Sequence, residues 1–205
     1  MVEEKRISGI ACVILCGGKG TRMGGVNKAE ISVGDKTLLE LQIEKSRSLF
    51  ARVAVAPGPH NVKKVSGVDI LADAAVGSGP IAGLLAGIEW CPEPFLFAVG
   101  VDMPRWTPGL VRHMAGQRGE ADYVMAEVGD RLQTLLGFYA KRTEGTIRSR
   151  CENGQFSLRD LALSAEDGAF AKVPEMSLRA TLGDEILDSF DNWNLPSDVR
   201  NSDHG

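Results

Sequence analysis

Residues 15–28 read Leu-Cys-Gly-Gly-Lys-Gly-Thr-Arg-Met-Gly-Gly-Val-Asn-Lys, directly after an apolar run at 10–15. Five glycines, two lysines and an arginine in one short stretch offer bare backbone N–H groups beside positive charge, a combination suited to a polyphosphate. Two common phosphate motifs fail on spacing. A P-loop needs Gly-x-x-x-x-Gly-Lys-Ser/Thr, but Gly18-Lys19 is followed by Gly20, and Val13 stands where the first glycine belongs. A dinucleotide fingerprint would need glycine at Met23. Within the loop, Gly17, Gly18 and Gly20 let amides approach phosphate oxygens, Arg22 can grip two oxygens as a fork, and Lys28 supplies a point charge. Lys19 suits solvent as well as phosphate, and Cys16 reads as a small loop residue rather than a nucleophile.

A second chemical position lies at Asp102, which ends the apolar run 95–101. A carboxylate there sits at the mouth of a sheet, where a hard oxygen ligand for Mg²⁺ is expected; the plainer alternative is a cap on the strand end. Asn192 and Asn194 occupy alternate positions and share a face if that segment is extended; two turn asparagines ahead of Leu195-Pro196 are the alternative. His60, His113 and His204 show no metal spacing, and the cysteines at 12, 16, 91 and 151 form no Cys-x-x-Cys pair, which argues for reduced thiols rather than zinc or disulfides.

These positions need a scaffold. Continuous apolar runs at 10–15, 52–56 and 95–101 read as strands covered on both faces. Helices are expected between them: one capped by Thr37 and running to about Phe50 with Leu38, Leu41 and Leu49 inward, then 80–90 and 108–117. Such alternation predicts an α/β fold with a mainly parallel sheet, and a ligand beyond the carboxyl ends of its strands, which puts the 16–28 loop and Asp102 on one rim. Runs at 123–128 and 134–140, split by Gly129-Asp130, read as an antiparallel insertion, and Ser157 caps a short helix to about Ser164. Flexible ends are expected at 1–8 and 198–205.

With 205 residues, 43% of them hydrophobic, the chain can bury about 70% of its unfolded surface, as one domain. Its net charge of −4 and lack of a basic run argue against nucleic acid as a partner. No apolar stretch of membrane-spanning length and no signal peptide are evident, so a cytoplasmic location away from membranes is expected.

Three further segments follow the glycine loop in order: Gly79-Pro80-Ile81-Ala82-Gly83, Val101-Asp102-Met103-Pro104 and Asn192-Trp193-Asn194-Leu195-Pro196. With Gly-Gly-x-Gly-Thr-Arg-Met-Gly ahead of a lysine, they resemble the molybdenum cofactor guanylyltransferases, the molybdopterin-guanine dinucleotide biosynthesis protein A family, over roughly residues 9–197. The resemblance implies a three-layer, Rossmann-like nucleotidyltransferase fold of the GT-A-like kind. It also implies transfer of GMP from GTP to molybdenum-molybdopterin with release of pyrophosphate. By the same resemblance, Arg22, Lys28 and Asp102 are catalytic, with Mg²⁺ on Asp102. Leu15, Cys16, Gly17, Gly18, Lys28, Asp73, Gly79, Pro80, Gly83 and Asp102 contact the nucleotide, and Asn192 and Asn194 the pterin acceptor. Molybdenum insertion proteins and molybdoenzyme chaperones are the implied partners. By itself, Asp73 is equally at home as a turn residue.

Base choice follows from the loop: relatives using CTP carry Leu-Ala-Ala-Gly, whereas Leu15-Cys16-Gly17-Gly18 is similar to the guanylyl pattern, and glycine at 17 leaves room for a purine edge. Asn27 replaces the family's aspartate before the lysine, Ala56-Pro57 stand where an asparagine is usual, and the polar tail omits part of a terminal helix. A cytidylyl- or sugar-phosphate nucleotidyltransferase, and a non-catalytic nucleotide-binding homologue, are the rival readings.

Overall fold

The structure, a computed structural model, describes residues 6–17, 27–60, 62, 64–72 and 79–193. Strand β1 (Ile10–Leu15) is entirely buried, as its unbroken apolar sequence requires. A small antiparallel ladder of β2 (Ser32–Val33) and β3 (Lys36–Thr37) leads into helix α1 (Leu38–Leu49). Thr37 and Glu40 close a reciprocal capping box at its start, the side chain of each accepting from the other's backbone N–H. Next come β4 (Val53–Ala56), the two-residue β5 (Asp69–Ile70), α2 (Pro80–Trp90), β6 (Phe95–Gly100) and α3 (Pro108–Gly116). The hairpin of β7 (Tyr123–Val128) and β8 (Arg131–Ala140) precedes α4 (Glu144–Glu152), α5 (Leu158–Leu163), β9 (Phe170–Pro174), α6 (Glu175–Leu182) and a 3-10 segment, Asp184–Phe190.

Among the described residues, seven strands form one sheet in the order β5-β4-β1-β6-β8-β7-β9. Only β8 runs against its neighbours β6 and β7; β5, β4, β1 and β6 are mutually parallel, and β7 pairs parallel with β9. The hairpin is therefore part of the main sheet rather than an insertion beside it. Alternation along β1 feeds two cores: Ile10, Cys12 and Ile14 face α1, α3 and α6, while Ala11, Val13 and Leu15 face α2, α4 and α5. This is the three-layer α/β arrangement expected.

Two local expectations are corrected. Leu41 is only half-buried; Gln42, Ile43 and Ser46 occupy the buried face of α1 along with Leu38, Leu39 and Leu49. The second strand begins at Val53, leaving Arg52 exposed. Among the described residues no helix is long and apolar enough to cross a membrane.

Helix α2 lies close on the sheet because two of its glycines permit it. A Cβ on Gly87 would stand 2.9 Å from Val13 Cγ1 and 3.0 Å from Leu96 Cδ2, and one on Gly83 3.0 Å from Leu15 Cδ2 and 3.1 Å from Ala56 Cβ. Overpacking of this kind costs about 1–3 kcal/mol and outweighs the roughly 1 kcal/mol that alanine gains over glycine in a helix. Gly87→Ala is therefore expected to lower the urea midpoint. Gly145→Ala, at a position in α4 with open space around it, should raise it slightly; equal effects from both would remove the steric account.

Candidate active site

Register builds the site. In the β1–β6 ladder Leu15 stands opposite Gly100, so both strands end at one level and the chain leaves each over the same rim. Val101 continues the ladder for one more step, its N–H donating to Leu15 O at 3.0 Å. Cys16 N–H donates to Ala56 O at 2.9 Å, tying the start of the glycine loop to the end of β4. A Cβ on Gly17 would meet Gly58 Cα at 3.3 Å, so the turn after β4 favours a glycine at 17. That packing gives Gly17 a reason besides any purine.

At this rim Lys28 Nζ donates to Asp102 Oδ2 at 2.7 Å, with side-chain exposures of 31% and 19%. The two residues singled out separately for phosphate and metal thus meet as a half-buried ion pair. Lys28 begins a single 3-10 turn, Lys28–Glu30, whose cap is Asn27: its Oδ1 accepts from Ala29 N–H at 3.2 Å. A carboxylate or an amide oxygen can make that bond, so the Asn27 departure leaves the position of Lys28 intact.

Gly79, Pro80 and Gly83 form the first turns of α2, whose start adjoins the ends of β1 and β4 through the Gly83 contacts with Leu15 and Ala56. Gly79 adopts φ +71°, a conformation that favours glycine, Pro80 occupies the first turn, and no side chain among the described residues caps the helix. The positive end of the helix dipole points to the rim, an arrangement suited to an anion.

Cys16 is buried. Burial, then the charge of Asp102, pushes its thiol up to about 12, and burial does the same for Cys12. A thiol held protonated at neutral pH is a poor nucleophile, which agrees with its reading as a small packing residue.

Asp102 is also held from the far end of the chain. Trp193 N–H donates to Asp102 O at 2.7 Å, bringing exposed Asn192 beside the same segment. The preceding 3-10 segment is fastened there by the Arg105–Asp188 ion pair at 2.6 Å and by Ser189 Oγ, which donates to Arg105 O at 3.2 Å. Arg22, Gly18, Asp73 and Asn194 lie outside the described residues.

The sequence reading missed what lies beneath Asp102. Gln42, buried in α1, donates from Nε2 to Gly100 O, Val101 O and Met103 O at 3.1, 3.4 and 2.9 Å, and its Oε1 accepts from Trp106 Nε1–H at 2.7 Å. Lys45, one turn on, donates to Pro104 O at 2.5 Å and Trp106 O at 3.0 Å, and its ammonium lies 4.9 Å from the Trp106 ring centre. The signal was a polar residue on the inward face of an amphipathic helix, four positions after Leu38.

Among the described residues no group of three or more His, Cys, Asp or Glu side chains could hold a metal. Asp102 stands beside a cation at the carboxyl end of the central strand β6, on the rim that the start of α2 adjoins. A sheet of this order, with helices on both faces, defines an α/β protein of the doubly wound class, which takes its ligand beyond the carboxyl ends of the strands. The comparisons specify which. A family model described as the MobA-like NTP transferase domain matches residues 12–167, so the chain belongs to that family of nucleotidyltransferases. A Pelotomaculum thermopropionicum protein named as a probable molybdenum cofactor guanylyltransferase is 31% identical, covering 91% of this chain and 88% of its own. The crystal structure of molybdopterin-guanine dinucleotide biosynthesis protein A from Archaeoglobus fulgidus, 22% identical, superposes with a TM-score of 0.73, covering 94% and 96%. The 2-C-methyl-D-erythritol 4-phosphate cytidylyltransferase of Thermus thermophilus, 18% identical, superposes at 0.63, covering 96% of each chain. At such identities the structures establish the shared fold.

Thiol labelling follows from this geometry. A pKa near 12 instead of 9 leaves roughly a thousandth of the usual thiolate below pH 9, before shielding is counted. In native protein at pH 8, Cys151, the half-buried thiol, is expected to react first, with Cys12 and Cys16 silent until denaturant is added. Mass mapping of alkylated peptides checks the order, and early labelling at Cys16 would contradict a buried, protonated thiol.

Proposed function

We propose that the protein transfers GMP from GTP to molybdenum-molybdopterin, forming the guanine dinucleotide form of the cofactor and pyrophosphate. The observation that carries this reading is the Lys28–Asp102 pair at the mouth of the glycine loop, in a chain of the MobA-like family. A terminal phosphate oxygen of the pterin attacks the α-phosphorus of GTP. The new P–O bond forms as the bond from that phosphorus to the bridging oxygen breaks, and the β- and γ-phosphates leave as pyrophosphate.

The residues divide this work by charge. Lys28 is a compact cation that can follow phosphate oxygens as negative charge shifts to the leaving group. The start of α2, which no side chain among the described residues caps, offers the backbone N–H groups on either side of Pro80, at Gly79 and Ile81, to an anion without desolvating a second cation. Asn192, next to the Trp193 that bonds the Asp102 carbonyl, is assigned to the acceptor together with Asn194, on the family resemblance.

Mg²⁺ fits the donor set. It keeps much of its water and takes one or two carboxylates plus substrate phosphates rather than an all-protein cage, and Asp102 is a carboxylate that belongs to no group of three or more His, Cys, Asp or Glu side chains among the described residues. When bound there it would offset charge on the phosphates. Lys28 must then share or cede Asp102 Oδ2.

Guanine as the base rests on the family and on the Leu15–Gly18 pattern. The close approach of Gly17 to Gly58 gives that glycine a second reason, so the loop alone does not choose between GTP and CTP. Pyrophosphate release with GTP and molybdenum-loaded molybdopterin tests the reaction, beside a calorimetric panel of nucleoside triphosphates. The expected result is Mg²⁺-dependent turnover with GTP, reduced at least about 100-fold in Asp102→Asn. Tight CTP binding with none for GTP would overturn the base, and GTP binding without turnover would mark a non-catalytic homologue.

A further inference from the structure

We infer that Gln42 is a positioning residue for Asp102: its amide sets the main chain on both sides of the carboxylate and so sets where a divalent cation and the nucleotide phosphates meet. The inference rests on the reading of Asp102 as the metal-binding carboxylate.

An aspartate side chain has two torsions, so the place of its oxygens is inherited from its Cα. Gln42 Nε2 reaches Gly100 O and Val101 O before Asp102 and Met103 O after it. The Val101 N–H is held by Leu15 O and the Asp102 carbonyl by Trp193 N–H. Asp102 is thereby fixed from β1, from α1 and from the segment after the 3-10 turns, and α1 supplies the only side chain among these restraints.

Glutamine is the residue type this position demands. It must offer N–H groups to carbonyls at one end and accept a hydrogen bond at the other, within a buried space and without charge. Indole Nε1–H can only donate, so Trp106 must face Oε1, which leaves Nε2 toward the carbonyls. Trp106, itself fully buried, and the three carbonyls thus fix the amide's orientation from its two ends. Lys45 holds Trp106 from outside through the Trp106 carbonyl and the ring face.

Gln42→Met keeps the length and most of the volume but removes both donors and the acceptor. The test is Mn²⁺ binding to the GTP complex, read from the electron paramagnetic resonance signal of free Mn²⁺, with GTP affinity in EDTA measured by calorimetry and folding by circular dichroism. Outer-sphere hydrogen bonds usually contribute about 10–100-fold to metal affinity. A loss of that size, with metal-free GTP affinity within about twofold of wild type, is the expected result for a residue acting through Asp102. Unchanged Mn²⁺ affinity in folded Gln42→Met overturns the inference, as does an equal loss of metal-free GTP binding, which would mean a general structural role. Should Gln42→Met fail to fold, Gln42→Asn decides, because it keeps the amide but withdraws it from the carbonyls by one methylene: weaker Mn²⁺ binding supports the inference and unchanged binding overturns it. Asp102→Asn separates the two claims. If wild-type Mn²⁺ binding survives that change, the reading of Asp102 fails and this inference with it; if it is lost while Gln42→Met binds normally, only the inference fails.

Discussion

Parallel pairing of β1 with β6, in the register that sets Leu15 opposite Gly100, is the constraint from which the site follows. Residues 28 and 102 are remote in sequence, yet Asp102 lies two positions beyond a strand that ends level with β1, and Lys28 meets it there at 2.7 Å. A one-residue slip of either strand would exchange the two cores, because every side chain on it would change face. Ile14 packs toward α1 and Leu15 toward α2, so the burial that stabilises the sheet also fixes where the charges stand. Fold stability and site geometry are one requirement here.

Electrostatic balance at the rim is local. A carboxylate at 19% exposure beside an ammonium at 31% is partly shielded from water, where their attraction exceeds that of a fully solvated pair. Cys16, held neutral chiefly by burial, also feels the Asp102 charge, which acts in the same direction. The departure at Asn27 and the glycine at 17 both fall into this picture as backbone business. Asn27 caps the turn that carries Lys28, and Gly17 lets one loop pass Gly58.

What was legible in the sequence depended on how local its cause was. Strand β1, α2 and β7 could be read to the residue because an unbroken apolar run, a proline at a helix start or a Gly-Asp turn acts within a few positions. Helix α4 was invisible: of its nine residues only Ile147 is fully buried, so it carries almost no periodic signal. Strand β9 was equally faint, since it is an edge strand with one fully buried residue, Val173, and it ends in proline. At the site, the residue types of Lys28 and Asp102 announced their chemistry, whereas their pairing needed the sheet order. Gln42 was opaque for a different reason. Its partners are main-chain carbonyls, which carry no residue identity, so nothing in the 100–103 sequence asks for an amide.

The hydrogen bond from Trp193 to the Asp102 carbonyl has a consequence for how the molecule comes into being. A chain growing from its N-terminus can pair β1 with β6 and cap α1 long before Trp193 has been made. The carboxylate is then present but incompletely held. Long-range contacts of this kind close late, because the loop between their ends must be ordered first. Competence would arrive as a final docking event rather than growing with the sheet, and a nascent chain that has already folded most of its core would still be a silent one.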